Sequence, residues 1–445
     1  MSTASGGYDL MLQFEEDLLN DILARALDDP LTLAAQSPRL VPRQVGFPAA
    51  PPNAKTMLWW EQPAFTVAEG ALERVSVLLP IHGGAQHGHS IYSVQGVVAV
   101  ERPVRLRQTS AGAPYLALSE PAPWGLRLQH LHFSHGQTPV EPAAALPQVG
   151  GYLVGALSVA LQALARVPFS YAPAAPRLAF PVSQQGAPSS AEPAPHLLRL
   201  GSGAVQTLVS SGVQGLALGF TLAGSPSPAP TPAGQMTPVL PAREGHGASP
   251  AWLSALTGGA VPNLALTFSA RGLTAAFAQV RETGMLTGET TGGDGARTGW
   301  RWQELSVALQ PGVALLTGSF ALAGAMRSVQ ASVRCALDTA GRLRAEPIAV
   351  HGGASSPAEE RALEYAVADS WKTLLLRLLR AAPRHGSADR FAPDALAQRL
   401  WLPETRITVE TQAAALLIGE GELTALYGVP QSLVGVARNA LSKID

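Results

Sequence analysis

The stretch Val213-Gln-Gly-Leu-Ala-Leu-Gly-Phe-Thr-Leu-Ala-Gly224 carries apolar residues at 216, 218, 220 and 222. A repeat of two is the mark of a β-strand with one buried face, and the whole run from Val205 to Leu222 reads as a strand pair. Near the other end of the chain, Ala414-Ala-Leu-Leu-Ile-Gly-Glu-Gly-Glu-Leu-Thr-Ala-Leu-Tyr-Gly428 is written in the same manner. The two stretches close two similar halves, each running sheet, helix, strand pair, which is a weak internal duplication of order and pattern.

Working outward toward the N-terminus, the alternation continues between Met57 and Phe133, as in Val75, Val77, Leu79 and Ile81, then Val94, Val98 and Val100, then Leu116 and Leu118. The turn signals between these runs lie too close together for crossover helices, so an antiparallel sheet is predicted. A helix over Tyr152–Val167 and a strand over Leu178–Val182 follow. At the start, Asp9–Leu27 has apolar residues at 11, 14, 18, 22 and 26, the spacing of an amphipathic helix. Toward the C-terminus, Ser225-Pro-Ser-Pro-Ala-Pro-Thr-Pro232 opens a loop-like stretch with polyproline character. The module boundary is placed there: residues 1–225 form a first module, 226–250 a linker and 251–445 a second module. In the second, strands are predicted at Leu264–Ala270, Leu273–Val280, Trp300–Leu309, Val313–Ala323, Val329–Leu337 and Leu343–Val350. A helix over Pro357–Ala382 has Ser356 as N-cap and Glu359 and Glu360 in its first turn. Strands near Ile407–Val409 and Ala415–Tyr427 end the chain.

Composition bounds the function. The 445 residues are too many for one small module. They are 47% hydrophobic and only 14% charged, which fits a large core, an apolar ligand cavity or a membrane-facing surface. Thirty-one Lys and Arg against 32 Asp and Glu leave a net charge of −1, so no long-range field draws in nucleic acid. The single cysteine, Cys335, excludes an internal disulfide framework and a thiolate zinc ribbon. The first residues lack a secretory pattern, and Gly150–Val167 is too short and too interrupted for a membrane span; a cytoplasmic protein is the expectation.

Several segments resemble the tubular lipid-binding (TULIP) superfamily, which includes bactericidal permeability-increasing-like proteins and accessory proteins of clostridial toxin clusters. Tyr8-Asp-Leu-Met-Leu-Gln-Phe-Glu-Glu-Asp-Leu-Leu-Asn20 is similar to that family's opening strand followed by a Leu-Leu-Asn helix. Leu264-Ala-Leu-Thr-Phe-Ser-Ala-Arg-Gly-Leu-Thr274 and Trp302-Gln-Glu-Leu-Ser-Val-Ala-Leu-Gln-Pro-Gly-Val-Ala-Leu-Leu-Thr-Gly318 resemble its paired strands. The resemblance implies an α+β fold of two tandem modules, each a highly curved antiparallel sheet wrapped around a long helix, with an elongated apolar groove for acyl chains. The apolar-phase positions of the clearest strands are the candidate lining: Leu216, Leu218, Phe220, Leu266, Phe268, Leu316, Phe320, Val333 and Cys335. The same positions would also fill a solid core.

The sequence carries no hydrolase, nucleotide-loop or dinucleotide motif. Two histidine groups, His82-Gly-Gly-Ala-Gln-His87-Gly-His89 and His130-Leu-His132-Phe-Ser-His135, are the only metal candidates. If His87 and His89 faced His130 and His132 from neighbouring strands, they could surround zinc. The final helix bears Lys372, Arg377, Arg380, Arg384 and Arg390 around a leucine face, which suits transient contact with an anionic membrane surface or complements the helix dipole. The expectation is a non-enzymatic carrier of a lipid or other lipophilic molecule, with no cofactor and no nucleic-acid partner. A structural or assembly protein with a filled core, engaging further copies or a protein partner, is the alternative, and a zinc-dependent enzyme a third.

Overall fold

The computed structural model describes residues 4–18, 44–46, 54–60, 64–67, 74–87, 89–108, 114–118, 125–145, 198–210, 213–224, 235–241, 262–282, 287–291, 297–380, 394–401 and 408–428. At its centre is a seven-stranded antiparallel sheet. The strands, numbered in chain order, are β1 (Leu10–Glu15), β10 (Leu200–Ser210), β11 (Val213–Leu222), β12 (Pro262–Ser269), β18 (Ala397–Trp401), β19 (Thr408–Ile418) and β20 (Glu422–Gly428). Their order is β10-β11-β1-β12-β20-β19-β18. The first strand of the chain therefore sits between strands from the two halves, with β11 on one side and β12 on the other.

This corrects the helix expected over Asp9–Leu27. Residues 10–15 form a strand, and only Glu16, Asp17 and Leu18 begin a helical turn within the described residues. The physical reason lies in β1 itself: all six of its residues, Leu-Met-Leu-Gln-Phe-Glu, are buried, so apolar side chains stand on both faces. A strand buried on both faces loses clean alternation, and its continuous run imitates a helix stripe.

Two further sheets flank the central one. The N-terminal sheet holds β2 (Gln44–Gly46), β3 (Ala54–Trp60), β5 (Arg74–His87), β6 (Ser90–Gln108), β8 (Gly125–His135) and β9 (Thr138–Val140) in that order. Within it β4 (Ala64–Val67) pairs with β5, and β7 (Pro114–Leu118) pairs with β6. The C-terminal sheet is a meander of β13 (Thr287–Thr291), β14 (Arg297–Gln310), β15 (Val313–Leu322), β16 (Ala325–Leu337) and β17 (Leu343–His351). The two-residue turn between β15 and β16 holds Ala323 and Gly324 at φ 51° and 84°, the left-handed pair whose twist matches that of the flanking strands. The fold is α+β with curved antiparallel sheets.

Two helices complete the C-terminal half: α1 (Ala270–Glu282) and α2 (Pro357–Leu379). In α2, Ser356 accepts from the Glu359 amide, Pro357 follows at the start, and Glu359 and Glu360 lie in the first turn, as the sequence predicts. Residues 273–280, expected as a strand, belong instead to α1. Leu273, Ala276, Phe277 and Val280 are its buried residues at i, i+3, i+4 and i+7, so the helical period wins over the strand reading. The run expected over Ala415–Tyr427 is two strands, β19 and β20, separated at Gly419–Gly421. The helix expected at Tyr152–Val167 and the strand at Leu178–Val182 lie outside the described residues.

Part of the expected linker is ordered against the sheet. Residues 235–241 cross the outer face of the central sheet, where Met236 and Leu240 are buried with Met11, Ala217, Ala265 and Leu426. Two glutamine side chains bracket the backbone of this strap. Gln13 Nε2 donates to the Thr237 carbonyl at 2.6 Å and its Oε1 accepts from the Val239 amide at 2.9 Å. Gln206 repeats the arrangement on Met236 at 3.1 and 2.9 Å. An amide side chain offers one donor and one acceptor, the same pair that a neighbouring strand would present to an extended backbone.

Candidate functional site: the apolar interior

The inner face of the central sheet is built from three rows running across strands. The register sets Phe220, Leu10 and Phe268 side by side, then Leu218, Leu12 and Leu266, then Leu216, Phe14 and Leu264. On the far side of β12, β20 extends the rows with Leu423, Ala425 and Tyr427. Registered neighbours on one face lie within side-chain contact, so the rows form a continuous apolar surface. All of these side chains are buried. Gly215 allows the close fit of β11 on β1, since a Cβ there would meet the Phe14 carbonyl oxygen at 2.0 Å.

The C-terminal sheet contributes the opposite wall. Its inner face carries Trp302, Leu316, Phe320, Val329, Val333 and Cys335, buried against α2 and its Trp371, Leu374 and Leu378. The Trp302 ring meets Phe320 edge-on at 4.8 Å, and its indole nitrogen donates to Ser370 Oγ at 2.8 Å. Tyr427 reaches from the central sheet to the end of α2, its hydroxyl donating to the Leu379 carbonyl at 2.7 Å. Both buried aromatics thus satisfy their polar ends.

The nine residues singled out from the sequence all enter this one contiguous cluster of buried side chains. Leu216, Leu218, Phe220, Leu266 and Phe268 come from the central sheet; Leu316, Phe320, Val333 and Cys335 come from the C-terminal sheet. Sequence reasoning missed Leu10, Leu12 and Phe14, which were assigned to a helix, and Leu273 and Phe277 of α1. A period-two reading of residues 10, 12 and 14 would have found the first three. Burial pushes the Cys335 thiol up to about 12, which keeps it neutral and unreactive in the physiological range.

The histidine groups do not meet as the sequence suggested. β6 separates β5 from β8, so His87 and His132 are not on neighbouring strands. His87 pairs with Ser90 at the end of the hairpin, whereas His132 pairs with Gln95 five residues further along β6. Among the described residues, no three His, Cys, Asp or Glu side chains are grouped so as to hold a metal ion.

The basic side of α2 is partly engaged. Lys372 Nζ contacts Asp394 Oδ2 at 3.0 Å, and burial lowers the pKa of the half-buried Arg377. Arg384 and Arg390 lie outside the described residues. Among the described residues no helix is long and apolar enough to cross a membrane.

No protein-family model and no curated protein matches the chain by sequence. Among solved structures, the crystal structure of P47 of Clostridium botulinum E1 is similar with TM-score 0.41 and 8% identity, over 95% of this chain and 99% of that one. The crystal structure of lipopolysaccharide binding protein is similar with TM-score 0.29 and 10% identity, over 95% of this chain and 99% of that one.

Proposed function

We propose that the protein binds a lipid or another lipophilic molecule through its apolar interior and catalyses no reaction on it. The observation that carries this reading is the set of three cross-strand rows, apolar at every member, running from β11 through β1 and β12 to β20. Such a surface suits an extended hydrocarbon, each methylene contributing about 0.8 kcal/mol on leaving water. The TULIP-like motifs of the sequence agree with it. Leu216, Leu218, Phe220, Leu266, Phe268, Leu316, Phe320, Val333 and Cys335 are the residues assigned to the ligand, and the reading includes two modules meeting near residues 226–250. A cytoplasmic site of action and a transient membrane-surface contact for loading belong to the same reading.

Native mass spectrometry of the purified chain, followed by solvent extraction and lipid analysis, tests it. One or two acyl-chain species per protein support the proposal. An apo mass that stays unchanged after incubation with phospholipid and fatty acid overturns it.

A second reading has its own observation. Trp302, Trp371, Tyr427, Phe14, Phe220, Phe268, Phe277 and Phe320 are all fully buried, and aromatic side chains of that size fill the interior they occupy. A scaffold or assembly protein needs no more than such a core. Self-association or capture by a defined protein partner, with no extractable ligand, is the result that favours it.

A further inference from the structure

We infer that His82, Gln95 and His132 form a binding site for a divalent transition ion of the zinc type on the outward face of the N-terminal sheet. The register aligns them in one row: His82 pairs with Gln95 across β5 and β6, and Gln95 pairs with His132 across β6 and β8. All three are exposed, so all three project from the same face. Two strand spacings place the histidine backbones about 10 Å apart, with the glutamine midway. An ion above Gln95 would take an imidazole nitrogen from each side and the carboxamide oxygen from below, with water completing its shell. Neutral imidazole ligands suit zinc, copper and nickel rather than calcium or magnesium.

The row exists because of an irregularity in β8. Val97 faces Gln129, but Gln95 faces His132, so β8 holds one extra residue opposite Gly96. Without that residue Leu131 would stand beside Gln95, and His132 would turn to the buried face, because a slip of one reverses every side chain. The extra residue is accommodated with His130 at φ 51°, a region that costs a non-glycine residue energy. Gly96 makes it possible: a Cβ there would lie 2.7 Å from Leu131 Cδ2 and 3.2 Å from the His130 carbonyl oxygen. Bulges of this kind re-aim side chains next to sites of function, and this one re-aims His132 into line with His82. On the same face of β6, Val97 and Ala99 are buried, so the row borders a covered strip.

Zinc chloride titrated into the full chain by isothermal calorimetry at pH 7.5 tests the assignment. One equivalent is expected to bind. H82A and H132A should each weaken it at least about tenfold, the lower end of what loss of a supporting partner costs a metal site. H89A, on the nearby turn, should leave it unchanged, and circular dichroism should show the same fold in every variant. Absence of saturable zinc uptake, or an affinity unmoved in the H82A/H132A double variant, overturns the inference.

Discussion

Asp9 and Arg271 form an ion pair at 2.5 Å between Oδ1 and Nε, with the carboxylate fully buried and the guanidinium side chain 28% exposed. The same aspartate accepts the Leu222 amide on its other oxygen at 2.9 Å, and Arg271 also donates to the Gly7 carbonyl at 2.8 Å. Three pieces of chain that are distant in sequence, the start of β1, the end of β11 and the first turn of α1, are therefore joined at one carboxylate. Removing one partner of a buried pair costs about 3–5 kcal/mol, because the other is left uncompensated. Asp9→Ala is expected to fall in that range, and Asp9→Asn to cost less because it keeps an acceptor for Leu222. Urea denaturation midpoints of the two variants check the order.

The same corner constrains Gly272. A Cβ at this position would sit 2.0 Å from the Asp9 carbonyl oxygen, and the obstacle is backbone, which cannot swing aside. Gly272→Ala is expected to destabilise by several kcal/mol, on the order of the overpacking penalties seen in cores or above. Gly299→Ala is the control: its Cβ would meet nothing nearer than 4.0 Å, so its effect should stay within about 1 kcal/mol. Thermal unfolding of the pair separates a steric account from a general intolerance of alanine.

The strap at residues 235–241 gives a local prediction. Gln13→Leu removes both hydrogen bonds to the Thr237 carbonyl and the Val239 amide, and buried groups left without partners cost about 1–3 kcal/mol. Hydrogen exchange should quicken at the Val239 amide while the amides of β14 and β15 keep their protection. Unchanged exchange at Val239 would show that apolar packing of Met236 and Leu240 alone holds the strap.

Those glutamines also show where sequence reading stops. The period-two runs of β14, β15 and β16 were legible because each has one buried and one more open face; β11, buried on both faces, was legible because its second face carries small residues, Gly215, Ala217 and Gly219; and the N-cap of α2 was legible because Ser356 and Pro357 act locally. β1 was not, since it is paired along both edges by strands about 200 or more residues away and covered on both faces, Met11 and Gln13 by the strap and Leu10, Leu12 and Phe14 by the apolar interior. Its polar member, Gln13, is explained only by a loop segment that crosses it. The His82–Gln95–His132 row was equally hidden: residue spacing suggested His87 and His89 with His130 and His132, but β6 lies between their strands, and the bulge at His130 turns His132 to the face that carries His82.

Placing β1 between β11 and β12 bears on the two halves as separate units. A fragment of residues 251–445 lacks β1, and the Leu264, Leu266 and Phe268 side of β12 loses its neighbour on that edge. An exposed strand edge with an apolar face is prone to wrong pairing. Fragments 1–250 and 251–445 are each expected to be aggregation-prone alone and to associate into a one-to-one complex when co-expressed. Size-exclusion chromatography of the three preparations is the test, and a monomeric, cooperatively melting 251–445 fragment would show that the second half is self-sufficient.

Asp369 supplies a pH dependence. It lies on α2, where burial raises its carboxyl above the ordinary aspartate range, and the nearby Lys372 charge offsets part of that rise. A folded-state pKa above the unfolded one means that the native protein holds this proton more tightly, so the carboxyl weakens the fold once it ionises above the raised value. Acidification through that raised value therefore relieves the penalty, opposite in sign to a salt-bridged aspartate. Asp369→Asn should melt at a higher temperature than the parent at pH 7.5, and the gap should close as the pH approaches 4. Lys372 is also engaged by Asp394 at 3.0 Å, so the asparagine does not strip that lysine of its partner. A variant that melts below the parent at pH 7.5 would mean that attraction to Lys372 outweighs the burial of the carboxylate.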